Sequence, residues 1–565
     1  MTDADAPGRS GLPAVFVQSP PRLANQYRDD AFLRSWLQRT LPSELLTAIE
    51  PELEHMGELA GGELYRFQLE DRLNEPKLTQ WDAWGNRVDR IEVTPLWKRC
   101  EEIAARHGLI AIPYEAKSGR YSRIHQFALA YLFHPSSDVY TCPLAMTDGA
   151  ARTLKVAGNT QLIARALPHL TSRDPARFWT SGQWMTEATG GSDVGRSLTR
   201  AVLEGDRWRL YGKKWFTSAI TSQMALALAR PEGNGPGGSG LAMFYVETHE
   251  PNGALNRIRI ERLKDKLGTR KVPTAELVLD GAVAELVGDT RNGTGHIEPM
   301  LVVTRTWNAV TSVAFMRRAV ELAKAYARER EAFGAKLIDQ PLHIDTLAGL
   351  EAETRGAFLM AFELVAMLGR LEQNEAKEDE RALLRLLTPI AKLATAKQAV
   401  AVVSEAIEAF GGAGYVEDTG LPVLLRDTQV LPIWEGTTNV LSLDAVLRGG
   451  LSQGLAPLER SFAQGMEALT HSDLRGLAQR SIDALASIRT WLPEHTQAAE
   501  LQAGARRVAF TIARAWQLML LVEQAQWELD TKNDAGTLIA ARRFALTPID
   551  HIVDSSIEDA AMLLK

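Results

Sequence analysis

The spacing of hydrophobic residues changes twice along this sequence. From about residue 44 to 150 the spacing is mostly helical, with an interruption at Pro113. Between 206 and 288 apolar and polar residues alternate in short segments, which Gly, Asn and Asp separate from one another. Such alternation is typical of antiparallel β-strands that bury one face. After about residue 300 the helical spacing returns and continues to the end of the sequence.

Long helices can be placed within the second helical region. One set of apolar residues recurs at intervals of three and four and therefore shares a single helix face: Val313, Met316, Val320, Ala323 and Ala327. A later set predicts a helix that ends at the glycines of GGAGY (411–415), because glycine readily terminates a helix. The charged run EQNEAKEDER (372–381) lies between two helices and indicates a solvated connection.

These changes divide the chain into four regions. We predict a mainly α-helical fold with a middle antiparallel β-domain, followed by a helical bundle and a further helical domain. The predicted regions are an N-terminal arm and helical domain at 1–180, the middle β-domain at 181–295, the helical bundle at 296–450 and the extra helical domain at 451–565.

Composition adds limits to this picture. Of the 565 residues, 45% are hydrophobic and 24% charged, and the formal net charge of −7 gives no electrostatic reason to expect nucleic acid or an anionic membrane as a partner. The two cysteines, Cys100 and Cys142, are too few for a disulfide framework or a structural zinc site. The first ten residues are polar, and no apolar run approaches the ~20 residues that span a bilayer. We therefore expect a cytoplasmic protein without a membrane span.

Several familiar motifs are missing or out of context. GNGPGG (233–238) fits G-x-G-x-x-G, but an apolar strand pattern follows it where a dinucleotide site needs a helix, so we predict a flexible hairpin loop. No P-loop, H-E-x-x-H or G-x-S-x-G motif occurs, and the histidines are scattered. The sequence thus predicts no catalytic metal and gives no support for a serine-hydrolase mechanism.

Two short stretches invite a chemical interpretation. WMTEATGGSDVG (184–195) combines hydroxyl side chains with two glycines, and such a loop can either form a tight turn or let a flat polar ligand approach the main chain. LPIWEGTTN (431–439) contains a single charge, Glu435. A carboxylate in that setting is either solvated on a turn or a base held in an apolar pocket.

Five blocks of sequence, taken together, resemble one known family. They are WMTEATGGSDVG, GKKWFTS (212–218), RERxAFG (328–334), FGGAGY (410–415) and RDTQVLPIWEGTTN (426–439). In this order and spacing they resemble the acyl-CoA dehydrogenase flavoproteins, and ERLKDKLGTR (261–270) and the long helical extension are similar to the AidB-type branch. The resemblance implies a helical domain, a β-domain and a four-helix domain, with FAD between the last two and usually a tetrameric assembly.

The resemblance also implies roles for individual residues. Trp215 would pack on the flavin ring, Thr217 would donate to the flavin near N5, and Arg330 would reach the pyrophosphate of FAD in a neighbouring subunit, as suits a bidentate donor. The full set of implied cofactor-binding residues is Met185, Thr186, Gly191, Ser192, Trp215, Phe216, Thr217, Arg330, Phe333, Gly412, Thr437 and Asn439.

In the resembled family a glutamate of the EGT block is the base, which here is Glu435. Abstraction of a proton next to a thioester needs a desolvated carboxylate, and Trp434 and Ile433 are expected to desolvate Glu435. The family's alternative base position is occupied here by Thr304, which leaves Glu435 as the matching candidate. Arg305 is expected to shape the site, and Ser192, Arg305 and Trp434 are the expected substrate contacts.

Three functional hypotheses follow. The first is an FAD-dependent dehydrogenase of medium- or long-chain acyl-CoA that passes electrons to a flavoprotein acceptor. The second is an AidB-like protective or regulatory flavoprotein, associated with DNA or acyl lipid and with weak dehydrogenase activity. The third is a lipid-binding sensor. DNA binding is disfavoured because residues 451–565 contain 11 Lys and Arg against 14 Asp and Glu, a net charge of −3.

Overall fold

A computed structural model describes residues 18–565, so the acidic segment at the N-terminus lies outside the described residues. The first region is helical, as predicted. Asp30 caps its first helix by accepting a hydrogen bond from the backbone N–H of Leu33 at 2.9 Å. The helices are α1 (Ala31–Thr40), α2 (Ser43–Gly61), α3 (Glu63–Glu70), α4 (Pro95–Arg106), α5 (Ala111–Glu115), α6 (Ser122–Phe133), α7 (Thr141–Ala157) and α8 (Thr160–Leu170).

The first region also contains a β-hairpin that the hydrophobic spacing did not predict. Its strands are β1 (Lys77–Trp81) and β2 (Arg87–Glu92), and most of their side chains are exposed or half-buried. The hairpin docks on the middle domain through Asp89, which accepts a hydrogen bond from the backbone N–H of Ile260 at 2.9 Å. Because so few of its residues are buried, the hairpin lacks the alternation that identifies strands from sequence.

The middle region forms a seven-stranded sheet. Its neighbouring strands are mainly antiparallel, as predicted, but β3 and β4 each pair in parallel with β6. GNGPGG lies in the connection between β6 and β7, which pair antiparallel, so the predicted hairpin loop is present. The strands are β3 (Ser181–Trp184), β4 (Arg200–Glu204), β5 (Arg207–Ser218), β6 (Met224–Pro231), β7 (Ala242–Glu247), β8 (Ile258–Leu263) and β9 (Thr274–Leu286).

The third region is the predicted helical bundle. Three long helices form its centre, and a close backbone approach makes glycine necessary after the third, because a Cβ at Gly414 would lie 2.1 Å from the carbonyl oxygen of Ile407. The elements are α9 (Gly293–His296), α10 (Glu298–Glu329), β10 (Glu331–Ala332), β11 (Ala335–Lys336), α11 (Pro341–Glu372), α12 (Glu378–Glu408), α13 (Leu421–Thr428) and α14 (Thr438–Leu447).

Helix α12 is the one helix in residues 18–565 that is long and apolar enough to cross a bilayer. In this structure 78% of its most apolar window is buried inside the protein, where α12 packs against α10 and α11. Its apolar character is therefore accounted for by its place at the centre of the bundle.

The last region packs closely onto the other helical regions. Its long helix α17 runs along α14 and α11, and Arg514 of α17 pairs with Glu353 of α11 at 2.7 Å. Ser35 of α1 donates to Glu528 of α17 at 2.6 Å. One hydrophobic core joins all three helical regions. The helices are α15 (Gly450–Ala468), α16 (Ser472–Glu494), α17 (Ala498–Lys532), α18 (Gly536–Phe544) and α19 (Ile557–Met562).

Candidate active site

Glu435 lies on the turn that joins α13 to α14. Its backbone is left-handed, with φ of +57°, and Gly436 follows with φ of +105°. A left-handed conformation is strained for a residue with a Cβ, and such strain is concentrated at functional sites. The Glu435 side chain is half-buried, so the structure places the carboxylate neither in bulk solvent nor in the closed core.

Three side chains hold this turn. Thr304 of α10 donates to Oε2 of Glu435 at 2.6 Å, so the residue that the resemblance matches to an alternative base position faces Glu435 directly. Arg305 Nε donates to the carbonyl oxygen of Glu435 at 3.3 Å, and Lys392 Nζ of α12 donates to the carbonyl oxygen of Gly436 at 2.7 Å. Two consecutive carbonyl groups of the strained turn thus each accept a hydrogen bond from a cation.

The apolar surroundings of the carboxylate differ from those expected. Trp434 is half-buried and packs on the main core, but Ile433 is 61% exposed, so the prediction that Ile433 desolvates Glu435 is wrong. Cys142 of α7 lies near Glu435 instead. Burial, with a smaller contribution from the charge of Glu435, raises the pKa of the Cys142 thiol to about 12, so this neighbour is neutral. Ser218, at the end of β5, is also next to the thiol and connects the β-domain to the turn.

A buried ion pair organises the loop after β3. Glu187 accepts from Lys214 Nζ at 2.7 Å, from Thr199 Oγ1 at 2.6 Å and from the backbone N–H of Leu198 at 2.6 Å. Burial acts to raise the pKa of Glu187, but the charge of Lys214 and these hydrogen bonds outweigh it and hold that pKa below its usual range. Nothing in the sequence marks either residue as part of an ion pair, although both stand inside the resembling blocks.

The predicted flavin-binding residues of β5 lie at a β-bulge. The register between β5 and β9 shifts between Lys214 and Thr217, so the intervening Trp215 and Phe216 both remain accessible. Lys264 Nζ lies 3.7 Å from the centre of the Trp215 ring and 4.4 Å from that of Phe216. The Thr217 hydroxyl is buried and donates to the carbonyl oxygen of Ala275 at 2.6 Å.

The other predicted cofactor residues fall into three groups. The first group lies next to β3, where Met185 is buried between the sheet and the helices α7 and α8, and the backbone N–H of Trp215 donates to the carbonyl oxygen of Thr186 at 3.0 Å. Gly191 and Ser192 are exposed on the loop that Glu187 organises.

The second group follows Glu435 directly. Thr437 and Asn439 are exposed at the start of α14, and Asn439 accepts from Arg506 of α17 at 3.3 Å. The third group is Arg330, Phe333 and Gly412, of which Phe333 and Gly412 are exposed. Phe333 is 99% exposed with φ of +53°, and a Cβ on Gly412 would meet nothing within 4 Å. Arg330 directly follows the last residue of α10.

A cleft of about 410 Å³ with four arginines in its wall opens beside the base turn. Arg305 reaches both the cleft and the base turn, since it lines the cleft and donates to the carbonyl oxygen of Glu435. Within the cleft it pairs with Asp444 at 2.9 Å. Arg385 pairs with the same Asp444 at 3.2 Å, and these two cations outweigh burial and hold the pKa of Asp444 below its usual range. The remaining wall arginines, Arg381 and Arg448, are exposed. Only Arg305 could be named from the sequence, because these arginines come from α10, from α12 and from the residue that follows α14.

Comparison with known proteins assigns all four regions of the chain. Residues 18–175 match the adaptive response protein AidB N-terminal domain, 182–282 the acyl-CoA dehydrogenase middle domain, and 291–450 the acyl-CoA dehydrogenase C-terminal domain. Residues 457–563 match the acyl-CoA dehydrogenase 11 C-terminal domain-like model. The chain is 43% identical to acyl-CoA dehydrogenase family member 11 of Caenorhabditis elegans, over 94% of this chain and 89% of the relative. The chain belongs to the acyl-CoA dehydrogenase family.

Further relatives agree with this assignment. The putative acyl-CoA dehydrogenase AidB of Escherichia coli (strain K12) is 35% identical over 66% of this chain and 69% of the relative. The crystal structure of C. elegans ACDH-11 in complex with C11-CoA has a TM-score of 0.92 at 41% identity, covering 97% of this chain and 95% of that one. The predicted fold and the AidB-type resemblance are thereby confirmed.

Acyl-CoA dehydrogenases are FAD-dependent flavoproteins, so the protein is an FAD-dependent enzyme of this family, as predicted. The residues present fit a flat, anionic cofactor. The bulge exposes Trp215 and Phe216 beside the cation of Lys264, and the loop that follows β3 presents the exposed Gly191 and Ser192. Aromatic rings suit a stacked ring system, and hydroxyl and backbone N–H groups suit its polar edge. The β5 and loop residues would therefore hold the flavin portion.

Proposed function

We propose that this protein oxidises the α,β bond of medium- or long-chain acyl-CoA, with Glu435 as the base. The observation that carries the proposal is the contact of Glu435 with Thr304, the two residues that the resemblance matches to the base positions of the family. Bound FAD would supply the hydride acceptor for the β-carbon. The α-proton would pass to Glu435, and a carbon–carbon double bond would form between the two carbons.

The residues around Glu435 suit proton abstraction from a weak carbon acid. The Thr304 hydroxyl donates a hydrogen bond to Oε2 of Glu435, which fixes the orientation of the carboxylate. The other oxygen, Oε1, is left to accept the substrate proton. Trp434, which packs on the main core, and the neutral thiol of Cys142 give this carboxylate uncharged neighbours. Partial desolvation makes a carboxylate more basic, as this reaction requires.

The arginine-lined cleft supports an acyl-CoA substrate. Coenzyme A carries phosphate groups at one end, and guanidinium groups bind phosphate through paired, charge-assisted hydrogen bonds. Arg305 joins the cleft to the base turn, so a thioester whose phosphates occupy the cleft would have its acyl end directed towards Glu435. The C. elegans relative was crystallised with C11-CoA, an acyl group of intermediate length.

The first test is an anaerobic titration of the purified protein with saturated acyl-CoAs of increasing chain length, followed by the visible absorbance of its flavin. We expect rapid bleaching with medium or long chains, because hydride transfer reduces the flavin. An oxidised flavin spectrum with every chain length would contradict the proposed function and would favour an acyl-binding or regulatory role.

The exposed cleft arginines give a second prediction. Changing both Arg381 and Arg448 to Gln should raise KM for acyl-CoA roughly tenfold, equivalent to about 1.4 kcal/mol, with little change in kcat. The measurement is steady-state kinetics at low and high salt, since the loss should shrink as salt screens the cleft.

Two comparisons make the cleft experiment specific. An acyl-pantetheine thioester lacks the nucleotide phosphates, so its KM should be the same for the variant and the unmodified enzyme. Arg207→Gln removes a charge from an exposed strand end and should leave KM for both thioesters unchanged. An equal rise in KM for both thioesters would show that the arginines do not recognise the phosphates.

We further propose that the active form is a homo-oligomer that donates electrons to a flavoprotein acceptor. The apolar residues Phe333, Tyr415 and Leu342 are 99%, 91% and 81% exposed in the single chain, which favours their burial against a second copy. The DNA-associated alternative has less support, because Arg542 and Arg543 are paired with Asp473 and Asp345. Sedimentation of the holoenzyme would measure the oligomeric state.

A further inference from the structure

Lys392 is a fully buried lysine behind the base turn. Its side chain is 0% exposed, and within residues 18–565 its ammonium makes one hydrogen bond, to the carbonyl oxygen of Gly436 at 2.7 Å. No carboxylate of the described chain lies within ion-pair distance of it. A buried ammonium with a single neutral acceptor is costly, because two of its three donors are left without a partner.

The charged groups that face Lys392 belong to the candidate active site. Burial lowers the pKa of Lys392 to about 7, the charge of Glu435 acts to raise it, and the charge of Arg305 acts to lower it. Arg305 is itself paired with Asp444. On the far side of Glu435 lies the neutral thiol of Cys142. Glu435 is therefore the anion that acts on the Lys392 ammonium.

The backbone of the turn needs the support that Lys392 gives. Left-handed backbone at a residue with a Cβ costs on the order of 1–3 kcal/mol and persists only when surrounding contacts impose it. Arg305 binds the carbonyl oxygen of Glu435, and Lys392 binds that of Gly436. Without the second contact, the turn that aims the Glu435 carboxylate would be held from the α10 side alone.

We infer that Lys392 is a positioning residue for proton abstraction, which fixes the turn of Glu435 and provides the positive charge that favours its ionised form. The inference rests on the proposed function. Arg385, Thr388 and Lys392 follow one another at intervals of three and four on α12 and therefore lie on one helix face. Arg385 and Thr388 line the arginine cleft, so one rigid helix connects the substrate cleft to the base turn.

The main test replaces Lys392 by Met, which has a similar length but neither charge nor donor. We expect kcat at pH 7 to fall roughly 100-fold, with KM for acyl-CoA changed less than threefold. The acid limb of the pH–kcat profile should move to higher pH by about one unit, because a carboxylate without its neighbouring cation ionises less readily. Lys397→Met is the matched control, since Lys397 is exposed on the same helix.

A second variant separates geometry from charge. Lys392→Gln keeps a donor for the Gly436 carbonyl but carries no charge. Its kcat should therefore be higher than that of Lys392→Met, while the acid limb of its pH–kcat profile stays displaced. Lys392→Ala, assayed with increasing ethylammonium chloride, should recover activity in proportion to the added amine. If flavin content and circular dichroism show that the Met variant does not fold, the Gln and Ala variants are used to test the inference in its place.

The outcomes distinguish this inference from the proposed function. If Glu435→Gln is inactive while folded Lys392 variants keep the original kcat and pH profile, Lys392 has no positioning role and the proposed function stands. A fall in thermal stability with an unshifted pH profile would likewise overturn the inference, because it would reveal a purely structural lysine. Full activity of Glu435→Gln would overturn both, since no base would then remain for Lys392 to position.

Discussion

Replacement of Glu435 by Gln is expected to lower the rate of flavin reduction by roughly 10³-fold, with FAD content unchanged. The amide has the shape of the carboxylate, and its oxygen can still accept the hydrogen bond from Thr304, so the turn should persist. What the amide cannot do is accept the α-proton of the substrate. Anaerobic stopped-flow mixing with an acyl-CoA that bleaches the unmodified enzyme would measure the loss.

A matched variant and a second substitution sharpen this experiment. Glu405→Gln makes the same change at an exposed position of α12 and should keep the full rate. Because the Thr304 oxygen lies 2.6 Å from Oε2 of Glu435, a carboxylate introduced by Thr304→Glu should reach the same point in a Glu435→Gly background. That double variant should recover part of the rate. A Glu435→Gln enzyme as fast as the unmodified enzyme would show that another group removes the proton.

The outline of the fold could be predicted because it depends on local periodicity. Alternation of apolar residues in β8 and β9 and the three-and-four spacing in α10 both reflect a buried face, which any reader of the sequence can detect. The β1–β2 hairpin was missed because its exposed strands bury too little to leave such a pattern. The parallel pairings of β6 depend on sheet order, which spacing along one strand does not encode.

The candidate site was predictable only where its residues stand in compact blocks. Glu435 and Trp215 could be named from such blocks, and Thr304 from the helical stretch that precedes one of them; the structure then showed Thr304 against Glu435. Lys392 contacts Gly436 from 44 positions away, and Arg305 contacts Asp444 from 139 positions away. These contacts arise from the packing of long helices, so no short stretch of sequence contains a signal for them.

The largest effect on stability is expected from Asp148→Ala in α7. Asp148 is fully buried and accepts four hydrogen bonds between 2.6 and 2.9 Å, from Tyr114, Arg123, Gln126 and Trp307. Removal of the carboxylate leaves these donors buried without their acceptor, and loss of one partner of a buried ion pair costs about 3–5 kcal/mol. A lower midpoint of urea unfolding, followed by circular dichroism, would measure the loss.

The same substitution should also affect the base turn, because Trp307 lies one helical turn beyond Thr304 on α10. The hydrogen bond from Trp307 to Asp148 fixes α10 against α7, and Thr304 in turn fixes Glu435. We therefore expect the folded Asp148→Ala protein to lose kcat as well as stability, whereas Asp206→Ala on an exposed β-turn should lose neither. An unchanged urea midpoint would mean that the ion pair of Arg123 with Glu372, at 2.7 Å, fully compensates for the lost pair with Asp148. The register of α10, and with it the position of Thr304, would then depend on apolar packing alone.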